Sequence, residues 1–111
     1  MASPAGAGAA PGGLQIQVSP VGGRMRVTIR GEIDLSVRAT LQAVLQEALT
    51  RSTHGVDLDL SGSAFCDCSG LNCFLAVRHR ALPTGKTVSI QTASPLVRRL
   101  LDLTETWPLF A

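Results

Sequence analysis

Two hydrophobic rhythms alternate along this chain, and their order restricts the fold more than any other feature. Leu14-Gln15-Ile16-Gln17-Val18 puts an apolar residue at every second position, the pattern of a strand with one buried face. Met25, Val27 and Ile29 repeat it between Arg24, Arg26, Thr28 and Arg30, and the turn residues at 20–23 predict a hairpin. The period then lengthens. Leu41, Val44, Leu45, Ala48 and Leu49 recur at helical spacing, with Arg38, Gln42, Gln46 and Glu47 on the other face. Asp34 or Ser36 supplies a side-chain oxygen to cap that helix. Val56, Leu58 and Leu60 return to strand alternation, with Asp57 and Asp59 opposite. Leu71, Phe74, Leu75, Val77 and Ala81 form a second helical stripe over about 69–81, and 87–91 alternate once more. Ser94-Pro95 opens a last helix whose apolar face is Leu96, Val97, Leu100 and Leu101. Residues 107–110 read as a short edge segment held by Trp107 and Phe110.

The order strand, strand, helix, strand, helix, strand, helix belongs to an α/β fold. Parallel neighbours need crossover connections, and the intervening helices provide them. The reading is a mixed sheet of four to five strands with three or more helices, the first hairpin adding an antiparallel edge. The chain of 111 residues suits one such domain, over 14–111. Residues 1–13 are nearly all Ala, Gly and Pro and are expected to form a flexible tail.

Composition removes several functional classes. The net charge is +2 and the basic residues are scattered, with small pairs at Arg78/Arg80 and Arg98/Arg99. A nucleic-acid binder carries a basic stripe, often with aromatics for stacking, and here there are one Trp and three Phe. No apolar run approaches the length of a membrane span, and the start lacks the basic and apolar stretches of a signal peptide. The expected location is the cytoplasm. Cys66, Cys68 and Cys73 lie close together, but their spacing does not suit structural zinc, and an odd count argues against a disulfide framework. His54 and His79 are not placed to complete a metal set. No cofactor is expected. Asp34 and Asp67 could be an acid/base pair, but no nucleophile, histidine or metal motif accompanies them; hydrogen bonds that order their own loops are the simpler role.

The segments that follow the strands carry a resemblance. Gly31-Glu32-Ile33-Asp34-Leu35 precedes the first helix. Asp59-Leu60-Ser61-Gly62 is followed by Phe65-Cys66-Asp67-Cys68-Ser69-Gly70-Leu71. Ser94-Pro95 leads into Val97-Arg98-Arg99-Leu100-Leu101-Asp102-Leu103-Thr104. In this order and spacing they resemble the STAS domains of bacterial anti-sigma factor antagonists, from about Leu14 to Phe110. The resemblance implies a non-enzymatic regulator. Its partner is an anti-sigma factor of the serine-kinase type, and binding frees a sigma factor. It also implies a contact surface made of Asp34, Ser61, Gly62, Asp67, Cys68, Ser69, Gly70, Leu71 and Asn72. In the family the residue after the signature Asp is a phosphorylated Ser or Thr, at a helix start where free N–H groups and the helix dipole favour an anion.

Here that residue is Cys68. A thiol is not a substrate for a serine kinase, so the phospho-switch is expected to be missing. Cys68 then acts as a neutral stand-in for unphosphorylated Ser, leaving the domain always competent to bind. Two other readings stand beside it. A thiol at a helix start is unusually reactive, which permits a redox sensor with Cys66 as a resolving partner, although alternating positions on an extended strand would point the two sulfurs apart. Ser69 could take the phosphate instead, but a one-residue shift turns the side chain by about 100°. A STAS subunit of a transporter complex is a further alternative. Two smaller departures are Asp57, where an apolar strand residue is usual, and Glu105, where a Gly commonly ends the last helix; the first predicts a partly open sheet face, the second a less tidy helix end.

Overall fold

The longest strand dictates how the others assemble. In the computed structural model, which describes residues 8–9 and 14–111, β3 spans Arg24–Ile33. It pairs with β2 (Gln15–Val21) in an antiparallel hairpin whose two-residue loop is Gly22 and Gly23. Both glycines take positive φ, 58° and 83°, as the hairpin turn matched to strand twist requires. β1 (Gly8–Ala9) pairs with the start of β2; the rest of the expected tail lies outside the described residues.

On its other side β3 has two parallel partners in succession. β4 (Gly55–Leu60) runs beside 24–28, and β5 (Ser63–Cys66) beside 31–33. β6 (Thr87–Ala93) lies parallel to β4, giving the order β1-β2-β3-β4-β6 with β5 attached to β3. The mixed sheet read from the sequence is present, with two strands, β1 and β5, beyond the four that the periodicity shows. No strand rhythm marks the stretch between β4 and the second helix, yet 63–66 is strand. The ten-residue β3 outruns β4, and β5 satisfies the backbone groups left over at its far end.

Three helices return the chain between or after the strands. A 3₁₀ turn (Leu35–Val37) leads into α1 (Arg38–Arg51), α2 covers Cys68–Ala81, and α3 covers Pro95–Leu103. Their buried residues, among them Leu41, Leu45, Phe74, Val77, Val97 and Leu101, join Val27, Ile29, Leu58, Leu60 and Ile90 of the sheet in one core. Residues 107–110, expected as an edge segment, instead form a short helix, α4 (Trp107–Phe110), with Pro108 in its first turn and Phe110 fully buried. Trp107 lies under the Arg98 guanidinium, 3.9 Å from ring centroid to Cζ. Glu105, between α3 and α4, takes the left-handed φ of 58° usually reserved for glycine.

The opposite sheet face is polar, with Gln15, Gln17, Arg26, Arg30 and Gln91 exposed. At Asp57, expected to leave that face partly open, an ion pair closes it. Arg24 Nε and Ser89 Oγ both donate to Asp57 Oδ1 at 2.7 Å, and the aspartate side chain is 13% exposed. No helix among the described residues is long and apolar enough to cross a membrane.

Candidate functional site

β3, β4, β5 and β6 are mutually parallel, so their carboxyl ends meet at one end of the sheet. Open α/β sheets recruit ligands and partners at that end. Three of the four strands finish in the same short pattern. Asp34-Leu35-Ser36, Asp59-Leu60-Ser61 and Asp67-Cys68-Ser69 each put a carboxylate two residues before a serine. In each, one carboxylate oxygen accepts from the serine backbone N–H, at 3.0, 3.0 and 2.9 Å in turn. The spacing folds this way because an extended Asp can bend its short side chain forward to the amide two residues on.

Asp67 is the N-cap of α2, extended at φ −103° and ψ −174°, and also accepts from Gly70 N at 3.2 Å. Its own N–H donates to Ile33 O at 3.1 Å, continuing the β3–β5 ladder to the helix boundary. Cys68 is therefore the first helical residue, one position earlier than the sequence pattern indicates, and its side chain is exposed. Two N–H groups that a phosphate at this helix start was expected to find are already held by the Asp67 carboxylate. Added negative charge at 68 would sit beside that carboxylate.

Gly70 explains how the helix start is seated. A Cβ there would lie 2.5 Å from Ile33 Cγ2 and 2.8 Å from Cys66 Sγ. The first turn of α2 thus rests directly on the ends of β3 and β5, with no space between.

Of the residues expected to face a partner, Ser61, Gly62, Cys68 and Asn72 are exposed, and Asp34, Asp67 and Ser69 are half-buried. Gly70 and Leu71, also expected there, are buried, Leu71 to 5%. Gly70 lies against Ile33 and Leu71 belongs to the core, so they support the surface from below. Two apolar side chains stand at the same end of the sheet and were not singled out. Leu35 is 65% exposed in the turn after β3, and Leu96 is 58% exposed in the first turn of α3. The signal for Leu35 was its place outside the helical stripe of α1; Leu96 had been counted into the apolar face of α3, of which Val97 and Leu101 reach the core and Leu96 does not.

The chemistry available here is limited. The carboxylates of Asp34, Asp59 and Asp67 are all engaged as turn acceptors. Hydroxyl donation from Thr92, and next from Ser61, holds the Asp59 carboxyl below the usual carboxylate range. Burial, and next the charge of Asp67, pushes the Cys66 thiol up to about 12; burial also raises Cys73. Among the described residues no three His, Cys, Asp or Glu side chains converge to hold a metal. A cavity of about 60 Å³ lies elsewhere, against Val18, Val44, Glu47, Ala48 and Arg51, far smaller than a substrate pocket. What the site offers is an exposed thiol at the capped start of a helix.

A family model described as "Mlab, STAS domain" matches residues 16–106. Among solved structures, the chain is similar to an anti-sigma factor antagonist from Mycobacterium paratuberculosis, with 26% identity and a TM-score of 0.77, over 92% of this chain and 89% of that one. It has the fold of the anti-sigma factor antagonist SpoIIAA in its unphosphorylated form, with 22% identity and a TM-score of 0.68 over 85% and 84% of the two chains. The phosphorylated form of the Bacillus cell fate determinant SpoIIAA matches at 22% identity and a TM-score of 0.60, over 85% and 86%. No curated protein sequence matches the chain significantly.

Proposed function

We propose, for a chain that belongs to the STAS domain family, the role of an anti-sigma factor antagonist that docks on a kinase-type anti-sigma factor in the cytoplasm and so releases a sigma factor. The observation that carries this reading is the exposed Cys68 at the capped start of α2, at the carboxyl end of the parallel strands. Likeness to an anti-sigma factor antagonist over nearly the whole chain supports it. In this reading Ser61, Gly62, Cys68 and Asn72 touch the partner, while Asp34, Asp67 and Ser69 line the surface between them. The domain acts by binding and performs no catalysis.

Cys68 defines how this antagonist is controlled. A thiol has the size and neutrality of an unphosphorylated serine, so the binding state is permanent. A redox switch that needs Cys66 to resolve an oxidised Cys68 is disfavoured, since a thiol raised to about 12 supplies almost no thiolate.

The test is a titration of the protein against the ATPase-fold anti-sigma factors of its own host. Cys68→Ser should bind as wild type does and become a kinase substrate. Cys68→Asp should bind at least about tenfold more weakly, the scale of a charge left unpaired in an interface. Equal affinity of Cys68→Asp and wild type would remove this surface from the interface. A second reading for a chain of the STAS family is a subunit of a transporter complex. Affinity capture that retrieves a transporter ATPase and no anti-sigma factor would select it.

A further inference from the structure

We propose that Asp59 is a positioning residue: with Thr92 it fixes the turn that carries the chain from β4 into β5, and thereby sets where the α2 start stands. Asp59 Oδ1 accepts three hydrogen bonds, from Ser61 N at 3.0 Å, Ser61 Oγ at 2.7 Å and Thr92 Oγ1 at 2.6 Å. The first two are local to the turn. The third comes from β6 and depends on an irregularity in the sheet.

Leu58 pairs with Ile90, but Asp59 pairs with Thr92, so Gln91 is an extra residue in β6. Val88 and Ile90 face the core, and regular alternation would point Thr92 the same way. The inserted residue reverses that and brings the Thr92 hydroxyl onto the face where the Asp59 carboxylate lies. A second shift sits across the same turn, between Gly31 and Glu32 in the β3–β5 pairing, where Gly31 N donates to Gly62 O at 3.1 Å. Ser94 N donates to Leu60 O at 3.0 Å, closing the side toward α3. The turn at Ser61 and Gly62 is thus held from β6, from β3 and from its own carboxylate. Five residues later the chain reaches Asp67 and Cys68.

The use of this arrangement in partner docking rests on the function proposed above, whereas its test does not. Amide hydrogen exchange is followed in the full chain for wild type, Thr92→Val, Asp59→Ala and Thr92→Ser. Loss of the latch should speed exchange at 61–68 by about five- to tenfold in Thr92→Val and Asp59→Ala, while Val27 and Ile29 in β3 keep their wild-type rates. Thr92→Ser retains the hydroxyl and should restore wild-type rates. Exchange at 61–68 unchanged in Thr92→Val, or accelerated only in step with Val27, overturns the proposal. Neither result bears on whether the surface binds an anti-sigma factor, which the Cys68 titration decides.

Discussion

Replacing Gly70 with alanine sets two effects of opposite sign against each other. Alanine is favoured over glycine in a helix by about 1 kcal/mol, so on propensity alone the variant gains stability. Against this, the new methyl would lie 2.5 Å from Ile33 Cγ2 and 2.8 Å from Cys66 Sγ. Neither neighbour can swing away. Ile33 is fully buried with a branched side chain, and Cys66 is half-buried at the end of β5. Relief therefore requires the first turn of α2 to lift from the strand ends, and overpacking of this kind costs about 1–3 kcal/mol. With overpacking near the middle of that range, the net expectation is a loss of roughly 1 kcal/mol, or a fall in Tm of roughly 4–8 °C for a domain of this size. Thermal and urea unfolding by circular dichroism measure it, with the m value unchanged. The double variant Gly70→Ala, Ile33→Leu lacks the branch methyl and should recover part of the loss. A Gly70→Ala protein as stable as wild type, or more so, would mean that propensity outweighs packing here and that α2 is not seated as described.

Asp67→Ala removes the acceptor for two helix-start amides and should cost about 1 kcal/mol in chemical denaturation; no change would dismiss the cap as a stabilising feature. Iodoacetamide should label Cys68 alone in the native protein, because Cys73 is buried and Cys66, at about 12, is ionised to roughly one part in ten thousand at pH 8; native labelling of Cys66 at a comparable rate would contradict this. The depressed Asp59 carboxyl contributes stability that is complete above the unfolded value of about 4 and disappears as pH falls through the lower folded value. Thr92→Val narrows that gap and should lose less stability than wild type between about pH 5 and 2; parallel acid-unfolding curves would count against the hydrogen bond.

The strands with alternating faces and the three longer helices were readable because their periodicity is local. β5 was not, because its four residues have no alternation of their own and their partners at 31–33 lie some thirty positions earlier. The placement of α2 missed by one residue, since Cys68 belongs to no apolar stripe and only the Asp67 cap marks the boundary. Asp34, Asp67 and Cys68 were legible from the resemblance. The link of Asp59 to Thr92 depends on an insertion in β6 that no sequence rhythm displays. Leu71 lies inward, as its place in the apolar stripe of α2 indicates, while Cys68 in the same turn is exposed.

Each parallel strand ends in a terminator of its own: Asp34, Asp59, Asp67 and, before α3, Ser94. Each connection beyond them is braced by an acceptor of its own, and the turn at 61–62 is braced from β3 and β6 as well. Exposed positions such as Leu35, Cys68 and Leu96 can then be exchanged one at a time without disturbing the hydrophobic interior. A scaffold organised like this can acquire a new binding preference through single substitutions at its rim, while the folding machinery underneath is inherited unaltered.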